Sequence, residues 1–352
     1  MTTLGILGAG QLGRMLAEAA APLGVRCKLY DPAPSPCARL AGEHVQGDWH
    51  DTAALDAFAV GLDHVTWEFE NVPVAAVDHL RQAVPTTPSA RSLHVAQDRL
   101  REKQMFGDLG LNTAPHHPAD SEADLRAALT ALGGPAIVKT RGGGYDGKGQ
   151  ARAAGPADAA RVWDQLGDRP LIVEGIVVFH RELSVIAARG RDGRVVTWPL
   201  SWNTHSDGVL VRSIAPAPAV SPALALAAGR IGTEVVTRLE HVGTLCVELF
   251  DLGDRLLCNE LAPRVHNSGH WTIEGSVTSQ FDNHVRAVVG LPLQSTAMAH
   301  PVAGMRNWLG RVPAPLPSTG HPHDYGKEPR PGRKVGHLTI TGPDLPSVLD
   351  QL

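Results

Sequence analysis

A chain of 352 residues exceeds what one hydrophobic core normally supports, and its 43% apolar content is ample for two or three domains. Its 36 acids slightly outnumber the 32 Lys plus Arg, so no overall positive field exists to hold nucleic acid or an anionic membrane, and an anionic ligand must meet a local cluster of cations. No apolar run approaches the roughly 18 residues needed to span a bilayer, and Gln11, Arg14 and Glu18 interrupt the apolar amino terminus, so a signal peptide is not expected.

Residues 1 to about 92 alternate strand and helix: a strand Leu4 to Leu7, a helix Gln11 to Leu23, a strand Val25 to Tyr30, a helix near Thr52 to Val60 and a strand His64 to Phe69. That order implies a parallel sheet. Gly8-Ala9-Gly10-Gln11-Leu12-Gly13 matches GxGxxG between strand and helix, and Asp31 ends the next strand, where a ribose-binding acid stands in dinucleotide-binding folds. Alone this favours NAD, yet the same turn serves wherever a strand bends tightly into a helix and offers its amides to an anion.

Pro85-Thr86-Thr87-Pro88 closes this unit and introduces a helix expected over Ser92 to Leu109, with Gln97-Asp98-Arg99 on its course. An apolar strand, Ala136 to Lys139, then runs into Arg141-Gly142-Gly143-Gly144-Tyr145-Asp146-Gly147-Lys148-Gly149-Gln150. Gly142 to Lys148 fits GxxxxGK, but Gly149 replaces the Ser or Thr that binds Mg²⁺ and no helix follows, which disfavours a P-loop. A glycine flap remains, its backbone amides closing around a triphosphate while Lys139 and Lys148 supply charge; a hairpin tip without a ligand is the alternative. Leu171 to Val173 starts a strand ending at Glu174, and Glu174-Gly175-Ile176 with Glu182 stand where backbone groups read adenine and an acid takes ribose hydroxyls.

After a helix over Pro222 to Leu239, the strand Thr244 to Phe250 is apolar except for Glu248, and Gly253-Asp254 supplies a turn. The stretch Asn259 to His270 then packs acid, amide, cation and imidazole together and reads as a reaction centre; a solvent-facing hairpin with scattered acids is the alternative. Two carboxylates and an amide on adjacent strands can chelate a hard cation, and Mg²⁺ is usually held by one or two carboxylates plus substrate phosphates. A two-residue turn at Gly253-Asp254 pairs Glu248 with Asn259 and sends Glu260 to the other face. A three-residue loop, Gly253 to Arg255, or a bulge sets Glu248 opposite Glu260, and that arrangement is the expected one. Finally Lys327, Arg330, Arg333 and Lys334 gather in eight residues, as a solvated charge run or as a grip on phosphate. Three units follow: 1–92, 93–170 and 171–352.

Cys27, Cys37, Cys246 and Cys258 form no CxxC pair, which suits a reducing cytoplasm, and the 17 dispersed histidines include no HExxH, so no zinc site is expected.

Together GILGAGQLGRML (5–16), QDR (97–99), GGYDGKGQ (143–150), NELAPRVHNSGHWT (259–272) and RPGRKVGH (330–337) resemble the ATP-grasp superfamily, and within it the ligases that carboxylate 5-aminoimidazole ribonucleotide in purine biosynthesis. The resemblance covers nearly the whole chain. It implies an α/β and α+β architecture, an ATP-grasp fold behind a Rossmann-like pre-ATP-grasp domain that binds substrate without NAD. It implies that ATP phosphorylates bicarbonate to carboxyphosphate, whose carboxyl group the amine of the ribonucleotide captures, leaving ADP and phosphate. Glu248 and Glu260 would hold Mg²⁺, for which Mn²⁺ could substitute. Arg99, Lys139, Gly144, Tyr145, Asp146, Gly147, Lys148, Gly149, Gln150, Glu174, Gly175, Ile176, Glu182, His205, Asn259 and Glu260 would surround ATP. Arg264, His266, Asn267 and Tyr145 would carry the chemistry, and Tyr145, Asp146, Lys148, Lys327, Arg330, Arg333 and Lys334 would hold the ribonucleotide. A homodimer and coupling to the mutase that acts on the product are also implied. The chain ends 15 residues after His337, earlier than the resemblance leads one to expect. Two other classes stand beside this one: an NAD-dependent oxidoreductase, which leaves the flap and the acid pair unexplained, and a nucleotide-binding protein without catalysis.

Overall fold

The computed structural model describes residues 1–144 and 149–352. The alternating amino-terminal segments build a four-stranded parallel sheet in the order Glu43–Gln46, Arg26–Asp31, Thr3–Leu7, His64–Trp67. Thr3–Leu7 lies inside it, so Leu4 and Ile6 pack with Leu12 and Leu16 of the helix Gln11–Ala20 on one face, while Leu7 packs with Leu55 and Phe58 of the helix Thr52–Ala59 on the other. Both faces of a parallel sheet must be covered in this way.

The expected single helix over Ser92 to Leu109 is two helices, Ala90–Ala96 and Arg99–Asp108. Asp98 causes the break, because its carboxylate caps the second helix by accepting from the amides of Leu100 and Arg101.

A second, antiparallel sheet runs His116–Ala119, Leu171–Gly175, Ala136–Thr140, Gln150–Ala153. Leu171 and Val173 pack there with Val138, and with Leu125, Leu129 and Val162 from the helices Glu122–Leu132 and Ala159–Leu166. The boundary that the sequence pattern places after residue 170 therefore cuts this sheet. Its last strand continues to Gly175 before the chain crosses to the third sheet.

The third sheet has nine strands, and at one edge Leu256–Ala262 pairs with Gly243–Asp251, which pairs with Arg181–Arg189. The helix Pro222–Arg238 covers one face through Ala228, Ile231 and Val235. On the other side the helix Gln280–Val289 presents Phe281, Val285 and Val288 to Leu12, Met15 and Leu16, so the first and third units share one apolar core. At the far edge Lys334–Gly342 pairs with Val302–Leu309 and His321–Asp324, and the final helix Leu345–Leu349 buries Val348 beside Ile340. Among the described residues no helix is long and apolar enough to cross a membrane, and all four cysteines are free.

Candidate active site

The hairpin that carries Glu248 and Glu260 reaches the expected register by a bulge. From the tip, Asp251 pairs with Leu256, Phe250 with Leu257 and Leu249 with Cys258, the pairing of a two-residue turn, and Leu252 donates its amide to Arg255 across that turn. One residue later the ladder jumps and Glu248 faces Glu260, leaving Asn259 as the extra residue of a β-bulge. The apolar spacing explains why. Leu256, Cys258 and Leu261 all enter the core beneath the helix Pro222–Arg238, and unbroken alternation would have driven Glu260 into that core in place of Leu261.

Glu260 lies in a nest of cations. Arg99 reaches its Oε1 at 2.5 Å and Lys139 at 3.7 Å. Burial alone would raise its carboxyl, but Arg99, then Lys139 and Lys103, hold it well below the usual carboxylate range. Glu248 is the opposite case: burial first, then the neighbouring Glu260 charge, pushes it up to about 7. Like charges at close range cannot both ionise freely, which keeps the proton affinities of these two facing acids apart. Among the described residues no group of three or more His, Cys, Asp or Glu is arranged to hold a metal. Mg²⁺ fits this donor set, with substrate phosphates supplying its remaining ligands.

Gln97, Asp98 and Arg99 tie this centre to its surroundings. Gln97 donates from its side-chain amide to the carbonyls of Glu70 and Val72 in the first unit, at 2.9 and 2.7 Å. Asp98 receives Arg141, at the root of the glycine flap, through two bonds of 3.1 and 2.7 Å. Arg99 donates to Glu260 and, at 3.5 Å, to the carbonyl of Gly144. Tyr145, Asp146, Gly147 and Lys148 lie outside the described residues. Beyond them Gly149 holds φ +71°, where a side chain would also meet Thr140, and Gln150 pairs with Lys139 across the hairpin.

Around Glu248 the polar groups are committed to one another. The ring of His266 accepts the Ser268 amide at Nδ1 at 3.4 Å, lies 2.8 Å from the Ser268 hydroxyl at the same nitrogen, and sets its Nε2 3.3 Å from the Glu248 carboxylate. Burial first, then Arg264 and Lys334, keep this ring far below its ordinary value and neutral at pH 7. Arg264 pairs with Glu70 of the first unit at 2.7 Å. Asn267 exchanges amide hydrogen bonds with Asn307, at 3.1 and 2.6 Å, and is buried. Its amide is therefore spent on fixing the turn; of the four residues expected to carry chemistry, Tyr145 lies outside the described residues, and among the other three Arg264 and His266 are the ones turned towards charge.

The expected nucleoside contacts divide in the same manner. Glu174 faces inward to Lys139 at 2.7 Å and Lys103 at 3.3 Å, and although burial would raise its carboxyl, these two lysines hold it below the ordinary value. Its carboxylate therefore positions Lys139. The Gly175 amide donates to the Pro115 carbonyl at 2.8 Å and the Ile176 amide to that of Pro135 at 3.5 Å, so neither is an open donor for a base edge. Beside them Ile176 and Phe179 are exposed and Phe179 stacks on Phe250 at 4.6 Å, an apolar shelf with no periodic signal in the sequence. Glu182 and His205 form an ion pair; burial opposes the ring's charge, but Glu182 outweighs it and raises His205 above its ordinary value.

At the amino-terminal turn the Ala9 amide donates to Asp31 at 2.9 Å and the Gly10 amide to Glu68 at 2.7 Å. Burial, opposed by the Gly10 amide, raises the Glu68 carboxyl. Two side-chain carboxyls thus occupy the donors that a pyrophosphate would need, which removes the physical basis for NAD at this turn. From the basic segment Lys327 donates to Gln11 at the start of that helix, with burial lowering its affinity for the proton. Lys334 acts on Glu248, His205 and His266, whereas Arg330 pairs with Glu328 on the exposed surface at 3.2 Å and Arg333 donates to the Glu328 carbonyl. Of the four, Lys327 and Lys334 are the ones whose charge is felt by the buried carboxyls, Lys327 by Glu68 and Lys334 by Glu248.

Three family models match the chain: the Ribonucleotide synthetase preATP-grasp domain over residues 1–97, the ATP-grasp domain over 104–281, and the Phosphoribosylaminoimidazole carboxylase C-terminal domain over 303–351. The N5-carboxyaminoimidazole ribonucleotide synthase of Pseudomonas aeruginosa is 48% identical over 341 residues, which cover 96% of this chain and 94% of that protein. The crystal structure of the corresponding synthetase from Thermus thermophilus superposes with a TM-score of 0.94 at 48% identity, covering 99% of this chain and 96% of that one. An Aspergillus clavatus N5-carboxyaminoimidazole synthase, solved with ADP and 5-aminoimidazole ribonucleotide, gives a TM-score of 0.91 at 30% identity over 99% of this chain and 96% of its own. With matches of this extent at both levels, the chain belongs to the N5-carboxyaminoimidazole ribonucleotide synthase family of ATP-grasp ligases.

Proposed function

We propose that this cleft joins bicarbonate to the exocyclic amine of 5-aminoimidazole ribonucleotide at the expense of ATP, giving 5-(carboxyamino)imidazole ribonucleotide, ADP and phosphate. The observation that carries the reading is the opposed pair Glu248 and Glu260, set by a bulge and ringed by Arg99, Lys139 and Lys103. A bicarbonate oxygen attacks the terminal phosphorus of ATP and displaces ADP; the amine nitrogen then captures the carboxyl group of the resulting carboxyphosphate, with release of phosphate and a proton. Both nucleophiles come from the substrates, so the protein's task is positioning and charge neutralisation.

Glu248 and Glu260 would hold Mg²⁺, or Mn²⁺ in its place, and the bound cation would supply neutralisation of phosphate charge. Arg99 and Lys139 face the same space and offset the triphosphate, with Lys148 of the flap. His266, neutral, turns its Nε2 edge to Glu248 and orients that carboxylate. Arg264, anchored on Glu70, places a fixed cation beside the forming carboxyphosphate. Lys327 and Lys334, with Tyr145 and Asp146 on the flap, receive the ribonucleotide, and the Phe179 shelf suits the adenine ring. A homodimer, a cytoplasmic setting and delivery of the product to the mutase that consumes it belong to the same proposal and are supported by family membership.

ADP release measured with each substrate omitted in turn tests it. Turnover is expected to require both bicarbonate and the ribonucleotide, and ADP formation indifferent to the ribonucleotide would contradict it. NADH should give no thermal protection where ATP with Mg²⁺ does.

A further inference from the structure

The helix Arg99–Asp108 carries two buried charged residues to which the chemistry above gives no step. Glu102 and Lys103 are each only 2% exposed, an unusual place for charge unless every polar group is matched. With Arg99 they stand at i, i+3 and i+4, so one helix face presents all three side chains to the strand Leu256–Ala262. Their partners are consecutive residues of that strand. Lys103 donates to the Asn259 carbonyl at 2.6 Å, Arg99 holds the Glu260 carboxylate, and Glu102 accepts the Leu261 amide.

Asn259 is the bulged residue, and a bulge frees backbone groups that an unbroken ladder would have paired. We infer that Glu102 and Lys103 are positioning residues, which take up the backbone groups on either side of Glu260 and so hold the bulge that sets it opposite Glu248. The inference rests on the reading of Glu248 and Glu260 as the cation site. The helix acts as a template: the carbonyl before Glu260 and the amide after it are both fixed from below, so the side chain between them projects into the cleft. Lys103 also lies 3.3 Å from Glu174, which couples the same helix to the partner of Lys139.

Glu102 serves through a carbonyl-type oxygen and does not need its charge. Burial raises its carboxyl to about 8, against the opposing pull of Lys103 and Arg99. Glu102→Gln keeps that acceptor, whereas Glu102→Leu removes it.

The test is Mn²⁺ binding to the full-length protein with ADP present, followed by electron paramagnetic resonance, with ADP affinity in the absence of metal measured alongside. Lys103→Met and Glu102→Leu should each weaken Mn²⁺ at least about tenfold, as loss of a group supporting a metal ligand does, while metal-free ADP affinity stays within about threefold and Glu102→Gln restores the Mn²⁺ affinity. Unchanged Mn²⁺ affinity in both loss variants overturns the inference. Loss of folding in both overturns it as well, because it would make these residues general supports of the fold; Lys103→Gln, with a shorter donor, is the milder variant that separates the cases. Glu248→Gln is the control for the underlying reading. If it binds Mn²⁺ normally, the cation site itself is wrong; if it loses Mn²⁺ while Lys103→Met and Glu102→Leu do not, only the positioning role fails.

Discussion

Glu248→Gln is expected to lower ADP formation about 10³-fold at saturating ATP, corresponding to roughly 4 kcal/mol of lost charge stabilisation around the phosphates. The fold should be little affected, because burial and the Glu260 charge already push the native carboxyl up to about 7 and glutamine resembles its protonated form. In the native protein that protonated form is populated as pH falls through about 7 and competes with the cation. Below that point the apparent Mg²⁺ affinity should fall by about tenfold per pH unit. In Glu248→Gln this pH dependence disappears. Mg²⁺ titrations of ATP turnover between pH 6 and 8 measure both effects, and a variant within about threefold of native turnover would remove Glu248 from the site.

Lys139→Met should damage stability and turnover together. Glu174 is 5% and Lys139 8% exposed, and removing one member of a buried pair leaves the other charge uncompensated, at a typical cost of roughly 3–5 kcal/mol. Lys103 remains beside Glu174, so a smaller loss of about 2 kcal/mol is expected in urea unfolding. The sign with pH follows from the shift. Lys139 and Lys103 outweigh burial and hold Glu174 below its ordinary 4.5. Its contribution is therefore present above about 4.5 and lost as pH falls through the lower native value. Lys139→Met should flatten that acid limb. Turnover should fall by about 10²-fold with a raised KM for ATP, since a cation facing the triphosphate is gone. Lys139→Arg should rescue stability better than turnover, because a planar fork does not replace a point charge. Unchanged stability and KM would show that the Lys139–Glu174 pair has neither role.

The local parts of this site were legible in the sequence and the long-range parts were not. Glu248 and Glu260 facing one another follows from strand alternation once a bulge is allowed, and the spacing of Leu256, Cys258 and Leu261, two then three, is the signal that places it. The break at Asp98 was visible as a capping residue inside a helical stretch. By contrast Arg264 with Glu70, Asn267 with Asn307 and Lys103 with Asn259 join residues far apart in the chain, where no periodicity records a contact. No motif in the sequence marks Glu102 and Lys103; their spacing from Phe106, which puts all three on one helix face, is the local signal of their burial. Glu174 belongs with them, because its buried pairing with Lys103 and Lys139 joins an internal strand to residues far away in the chain.

Diffraction from crystals grown with ADP and Mn²⁺, recorded at the manganese absorption edge, tests the cation site most directly. One anomalous peak is predicted between the carboxylates of Glu248 and Glu260 and against the nucleotide phosphates. A peak elsewhere, with Glu260 still held by Arg99 and Glu248 by His266, would contradict the account.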